Sequence, residues 1–337
     1  GLKAIFSMQK SLQSDTYAPI KLQLKTFDAV IKPILLYSCE IWGQDLLHTK
    51  HDYNKNIIDD RSRLEIIHMR FCKRLLRIPT LSSNTAVRSE LGRMPLLYNV
   101  VVQVVKYYIR LEGLRENRLL KCIYNKIKNN SFSISKIAGH FLDISGTTYN
   151  QTDFKTDKQC NKIIKEFKDN WYTKMEQEWY KILNSENGPS GKRNKLRIYN
   201  KVKKSLSIES YLTDITDPFR RQCITKLRIS AHNLAIEKER NKKAQSNTYT
   251  LKKRLCKSCS RNKVENEYHF VMECPLYNDE RTKLFNILSI DVNDYPSKID
   301  AFLLLLKCSN SDYNTHFCEY LHKIFNKRKE NLSIAKY

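Results

Sequence analysis

The chain has 337 residues, enough for two or three domains of about 100–200 residues, so it is not a small scaffold held by disulfides. Sixty Lys and Arg against 35 Asp and Glu give a formal charge of +25, a field that draws polyanions, with nucleic acid the first partner class and anionic membrane the second. Ten cysteines without dense regular pairing, no secretory segment, and no run of roughly 18 uninterrupted apolar residues point to reduced thiols in an intracellular chain, nuclear or cytoplasmic, not secreted and not spanning a membrane.

Only 8 glycines and 8 prolines punctuate an apolar period that is helical almost throughout, so the expected fold class is mostly α. The chain opens at Gly1 with an already amphipathic LKAIFSMQKSL, which implies that sequence precedes it. In the stretch up to Pro79, Leu64, Ile67, Phe71, Leu75 and Ile78 form a buried stripe while Arg70, Lys73, Arg74 and Arg77 occupy a flanking face. His68 falls on the buried side. A short helix capped by Asn84 and closed by Gly92 is expected next, and Pro95 then opens a longer core helix to about Arg110, its polar side marked by Asn99, Gln103 and Lys106. These elements make a helical region over 1–125.

Residues 126–160, with little periodicity in 139–159, read as a linker or long loops, and 161–245 as a basic helical region. Trp171 and Trp179, like Trp42 earlier, lie on apolar faces and read as core anchors. After a Gly-Pro turn, Lys192, Arg193, Lys195, Arg197, Lys201, Lys203 and Lys204 surround Tyr199. Asp217 and Pro218 open a helix that carries Arg220, Arg221, Lys226 and Arg228. Lys252, Lys253, Arg254 and Lys257 lead into a cysteine module over 250–280, and helices over 281–337 end the chain.

Within the module Cys256, Cys259, His269 and Cys274 are spaced C-x2-C-x9-H-x4-C. Zn²⁺ takes four tetrahedral N or S ligands, and the two-residue gap lets both thiolates of a Cys-x-x-Cys turn reach one ion. A saturated Cys₃His shell has no open position for water or substrate, so one structural Zn²⁺ is the expected cofactor, with Val264, Phe270, Val271 and Leu276 packing over it. None of the eight histidines has Glu two residues later, which argues against a zinc deaminase. Cys39, Cys72, Cys122, Cys160, Cys223, Cys308 and Cys318 lack ligand-like spacing and read as small hydrophobes.

The segment CKSCSRNKVENEYHFVMECPLYNDER, from Cys256 to Arg281, resembles the C-terminal cysteine motif, a CCHC zinc knuckle, of non-LTR (LINE-like) retrotransposon reverse transcriptases. There, C-x2-C, an acidic approach, His-Phe, a Glu-Cys-Pro step and a downstream Arg recur. LQLKTFDAVIKPILLYSCEIWG (22–43) is similar to the thumb-like segment after the polymerase palm, and 71–96 and 226–240 are similar to later blocks of the family. The resemblance implies a fragment of an RNA-directed DNA polymerase polyprotein, downstream of the palm. Its implied partners are template RNA, target DNA and the upstream polymerase domains.

Polymerisation needs clustered carboxylates that hold two metal ions. The only Asp-Asp step, Asp59-Asp60, precedes a helix without the aromatic and strand of a palm motif and reads as an acidic helix start, so no catalytic centre is expected here. The basic clusters, with Tyr199 for stacking, are read as contacts to RNA or DNA. The alternatives are a zinc-stabilised protein-interaction scaffold and a remnant of a decayed element without function.

Overall fold

A computed structural model describes residues 18–48, 62–130, 133–150, 154, 156–185, 195–238 and 254–334. The fold is mostly α: among the described residues no strand forms, and pairing is confined to two isolated antiparallel bridges, Leu91 with Ile208 and Leu255 with Val264. No helix of the described residues is long and apolar enough to cross a membrane. Chain contacts divide the protein into two compact units. Of the described residues, one takes those within Lys25–Met69 and Met94–Ser185; the other takes those within 18–24, Arg70–Arg93 and Glu186–Tyr337.

The first helices are α1 (Ile20–Thr26), a π-helical turn (Phe27–Ile31), α2 (Lys32–Leu36), α3 (Cys39–His48) and α4 (Arg63–Leu75). After α5 (Asn84–Glu90) come α6 (Leu96–Glu112), α7 (Leu119–Ile127), α8 (Ile134–Ser145) and α9 (Asp157–Asn184).

In the first unit α6 is the central rod, and Val100, Val101, Val104, Val105 and Ile109 are fully buried along it. Gly43 of α3 permits close packing on this rod, because a Cβ there would lie 2.5 Å from Val100 Cγ1. Pro95 caps α6 and brings no side-chain acceptor, so the buried Glu65 carboxylate of α4 takes the Leu96 N–H at 2.9 Å. His68, buried as its helix position requires, stacks on Phe27 at 5.5 Å and sets Nδ1 3.2 Å from Glu65.

The region expected as linker contains α8. Ile134, Ile137, Ala138, Phe141 and Leu142 repeat at helical spacing and are buried, and Gly146, at φ 73°, ends the helix in the left-handed conformation. The polar run that follows Gly146 obscures this period in the sequence. Helix α9 belongs to the same unit rather than to a basic region, since it buries Phe167, Trp171, Met175 and Trp179 along one side. The Trp171 indole packs edge-on to Phe141 at 5.4 Å. Trp42 differs from the expected core anchor. The buried side of α3 is Cys39, Gly43 and Leu47, so Trp42 stands at its margin, 36% exposed, with its indole N–H donating to the Tyr37 carbonyl.

The second unit joins α5 to α10 (Tyr199–Val202), α11 (Tyr211–Asp214), α12 (Pro218–Arg228) and α13 (Ala235–Lys238), then to α14 (Asn278–Leu288), α15 (Lys298–Lys307) and α16 (Ser311–Ile334). Helix α12 begins as its sequence dictates: Asp217 accepts from Phe219 N–H and Pro218 takes the first turn. The cap of α5 is Ser83 rather than Asn84, with Ser83 Oγ accepting from Ala86 N–H at 3.4 Å. Gly92, at φ 61°, closes that turn where a Cβ would meet the Ile208 backbone nitrogen at 2.5 Å.

At the centre of this unit lies a buried ionic network. Arg228 Nη2 sits 3.0 Å from Glu90 and 2.7 Å from Glu209, and Arg228 Nη1 donates to the Leu306 carbonyl. Lys203 pairs with Glu209, and the Tyr211 hydroxyl donates to Glu90. Two cations and two carboxylates thus face one another, tying α5, α11, α12 and the end of α15 together.

Candidate metal centre and basic surface

The Leu255–Val264 bridge closes a small loop in which Cys256 N–H donates to the Lys263 carbonyl at 2.8 Å and Asn262 turns at φ 51°. That loop presents Cys256 and Cys259. His269 starts a π-helical turn (His269–Glu273), and Cys274 follows with its N–H returned to the His269 carbonyl at 2.8 Å. Asn266 Oδ1 accepts from His269 N–H at 2.8 Å and fixes the start of the turn.

One ligand atom from each of Cys256, Cys259, His269 and Cys274 falls within 4.8 Å of the others, so the group could hold one metal ion. Cys259 Sγ lies 3.5 Å from His269 Nε2. A tetrahedral zinc with Zn–S near 2.3 Å and Zn–N near 2.0–2.1 Å calls for an S···N edge of about 3.5 Å, so the donor set and this edge fit the ion.

The hydrogen bond between the Cys256 and Cys274 thiols, with burial, pushes Cys256 up to about 12, and the same bond lowers the Cys274 pKa.

The surrounding shell orients these ligands. His269 turns Nε2 toward the thiols because Nδ1 faces Glu273 Oε2 at 3.3 Å, the arrangement that fixes the tautomer of metal-bound imidazoles. Burial works against the Glu273 carboxylate, but Lys263 at 2.7 Å and His269 hold its pKa below the ordinary range. Arg281, buried in α14, donates to the Cys274 carbonyl at 2.8 Å and to the Val271 carbonyl, which also receives the Tyr320 hydroxyl at 2.6 Å.

Phe270 and Val271 are buried as expected, but Val264 and Leu276 are only partly covered. Phe270 packs instead on Tyr277 at 5.1 Å and Phe325 at 4.8 Å. Arg328 of α16 holds Glu265, which accepts from Ala235 N–H at 2.7 Å. The cysteine segment is therefore built into the second unit and is not a free-standing module over 250–280.

The expected nucleic-acid contacts separate by burial. Arg70, Arg74, Lys201, Lys204, Arg220 and Lys257 are exposed, whereas Lys73, Arg77, Lys195, Arg197, Lys226 and Arg254 are partly covered. Tyr199, Lys203, Arg221 and Arg228 are buried, which corrects their reading as surface contacts. The Tyr199 ring has no accessible face for a base, and its hydroxyl donates to the Ala86 carbonyl at 3.4 Å. Lys203 and Arg228 belong to the ionic network, and Arg221 donates to the Ile215 carbonyl at 3.1 Å. Arg197 is engaged by Glu267 at 2.7 Å and Glu237 at 3.4 Å. Burial raises the Glu267 pKa, but His232 and Arg197 outweigh it and hold that carboxyl at about 2.

Lys192, Arg193, Lys252, Lys253, Asp59 and Asp60 lie outside the described residues, as does the expected amphipathic opening of the chain. Among the remaining cysteines, Cys39, Cys72, Cys223, Cys308 and Cys318 are buried as small hydrophobes, while Cys122 is exposed and Cys160 partly so. Sequence reasoning missed the roles of Glu273 and Arg281. The signal was present, since both flank the last ligand at fixed offsets, one before Cys274 and the other one helical turn into α14.

No protein-family model, curated protein or solved structure matches the chain.

Proposed function

We propose that the chain is a zinc-stabilised nucleic-acid-binding segment of a non-LTR reverse transcriptase, positioning template RNA or target DNA and carrying no catalytic centre of its own. The observation that carries the reading is the convergence of Cys256, Cys259, His269 and Cys274 on one point, with Glu273 behind the imidazole. Three thiolates and one imidazole suit a structural zinc, which would lock the Cys256 loop onto the His269 turn. The +25 charge and the exposed Arg70, Arg74, Lys201, Lys204 and Lys257 support a polyanionic partner. The family assignment itself rests on the resemblance of the ordered sequence blocks.

Two measurements test the proposal. Metal analysis of purified protein should find one zinc per chain, lost in a Cys259→Ser, Cys274→Ser double variant. Affinity for single-stranded RNA or DNA should fall with salt at a log–log slope of about −0.7 per phosphate contact, flattened by Arg70→Ala with Arg74→Ala. Absence of zinc overturns the first half, and absence of binding at low salt overturns the second.

A further inference from the structure

Two basic stretches far apart in sequence meet at an exposed aromatic ring in the second unit. Phe219, in the first turn of α12, is 50% exposed, and the Arg77 guanidinium carbon lies 4.2 Å from its ring centroid. Gln222, one position on from Arg221 in the same helix, donates to the Arg77 carbonyl and holds that residue against α12.

The backbone of Arg77 is unusual. Helix α4 ends with Ile78 N–H donating to the Lys73 carbonyl and Arg77 N–H donating to the Arg74 carbonyl, both at 3.0 Å. This is a helix stop whose left-handed residue is ordinarily glycine, and here it is Arg77 at φ 53°. A long cation kept in a strained conformation that glycine adopts without penalty points to a use for its side chain.

Further arginines flank the ring and its partner in the sequence. Arg70 and Arg74, one turn apart on the exposed side of α4, precede Arg77. Arg220 follows Phe219, and its charge is answered by Asp217 at 3.5 Å and Glu319 at 3.1 Å. Arg77 against the ring, with Arg70 and Arg74 exposed earlier on α4, sets cationic side chains beside a flat apolar face, the combination that single-stranded nucleic acid binds through stacking and phosphate contact.

We propose that Phe219, backed by Arg77, is a stacking platform for an unpaired base, with Arg70 and Arg74 receiving the adjoining phosphates. This rests on the nucleic-acid reading above and assigns it a place and a substrate form, the single strand. Arg77 covers one face or edge of the ring, and the exposed remainder admits the base. Phe219 and Arg77 are members of neither the metal-ligand set nor the buried ionic network, so their replacement removes no group from either.

The test uses the full zinc-loaded chain and a fluorescein-labelled oligouridylate, beside the same strand with abasic positions. Stacking on one aromatic ring tightens binding by about 5- to 150-fold per base. Phe219→Ala should lose a factor in that range on the base-bearing strand and little on the abasic one, and Phe219→Trp should restore it. Arg77→Gly removes the guanidinium while relieving the backbone, so it should weaken binding with a thermal midpoint unchanged or raised, whereas a purely structural Arg77 would lower the midpoint.

If wild type binds and both variants bind equally well, the platform is wrong while the nucleic-acid reading stands. Equal losses on base-bearing and abasic strands would overturn stacking in favour of charge alone. Failure of wild type to bind any strand at low salt would remove the nucleic-acid reading and the platform with it. Capture of wild type, but not Phe219→Ala, by phosphatidylserine vesicles without an oligonucleotide effect would reassign the ring to a lipid surface.

Discussion

Removing Arg228 should be among the most damaging single changes in the second unit, and removing Glu90 with it should recover part of the loss. In the intact network Arg228 and Lys203 face Glu90 and Glu209, two charges of each sign. Arg228→Met keeps much of the volume but leaves two carboxylates opposite one ammonium and strands the Leu306 carbonyl, so about 3–5 kcal/mol should be lost. Glu90→Gln should cost about 2–3 kcal/mol, because Arg228 still has Glu209 at 2.7 Å and the amide oxygen can still accept from Tyr211.

The double variant leaves Lys203 with Glu209, a balanced pair. It should therefore lose about 4 kcal/mol rather than the sum of about 5–8 kcal/mol, a coupling of about 1–4 kcal/mol. Urea unfolding followed by far-UV circular dichroism, with the m-value checked for constancy, measures all four corners of the cycle. Additivity within about 0.5 kcal/mol would refute the reasoning, since it would mean that the guanidinium and the carboxylate act independently.

Glu273→Gln should weaken zinc binding about 10- to 100-fold with all four ligands intact, because the imidazole loses its carboxylate partner; competition with a chromophoric chelator reads this directly. Gly92→Ala should cost about 2 kcal/mol or more in the same urea assay, since φ is positive and the new Cβ meets backbone rather than a side chain that can move. Ser83→Ala should destabilise by about 1 kcal/mol while Asn84→Ala should change little, the reverse of the order expected if Asn84 were the cap.

Much of the α architecture is legible from residue spacing alone. The valines of α6, the Asp-Pro start of α12 and the metal-ligand set all obey local rules, with partners a few residues apart or on one helix side. The sequence is less informative where burial depends on distant partners. Lys203, Arg221 and Arg228 look like surface cations because nothing within a helical turn of them announces Glu90 or the Leu212 and Ile215 carbonyls. Tyr199 sits amid lysines and arginines in sequence, yet its ring is enclosed. Helix α8 was obscured by the polar residues behind Gly146, although its own five apolar positions repeat regularly.

The interleaving of the two units has a consequence for synthesis. Glu90 is made 138 residues before Arg228, so at about 5–20 residues per second it waits roughly 7–28 s for its partner. Residues Met94–Ser185, which complete the first unit, are all made during that wait. The Glu90 carboxylate therefore has no Arg228 to meet until after the residues of the first unit have all been made. A ribosome that pauses between Ser185 and Arg228 would hold a chain whose first unit has all its residues and whose second still lacks the guanidinium at the centre of its ionic network.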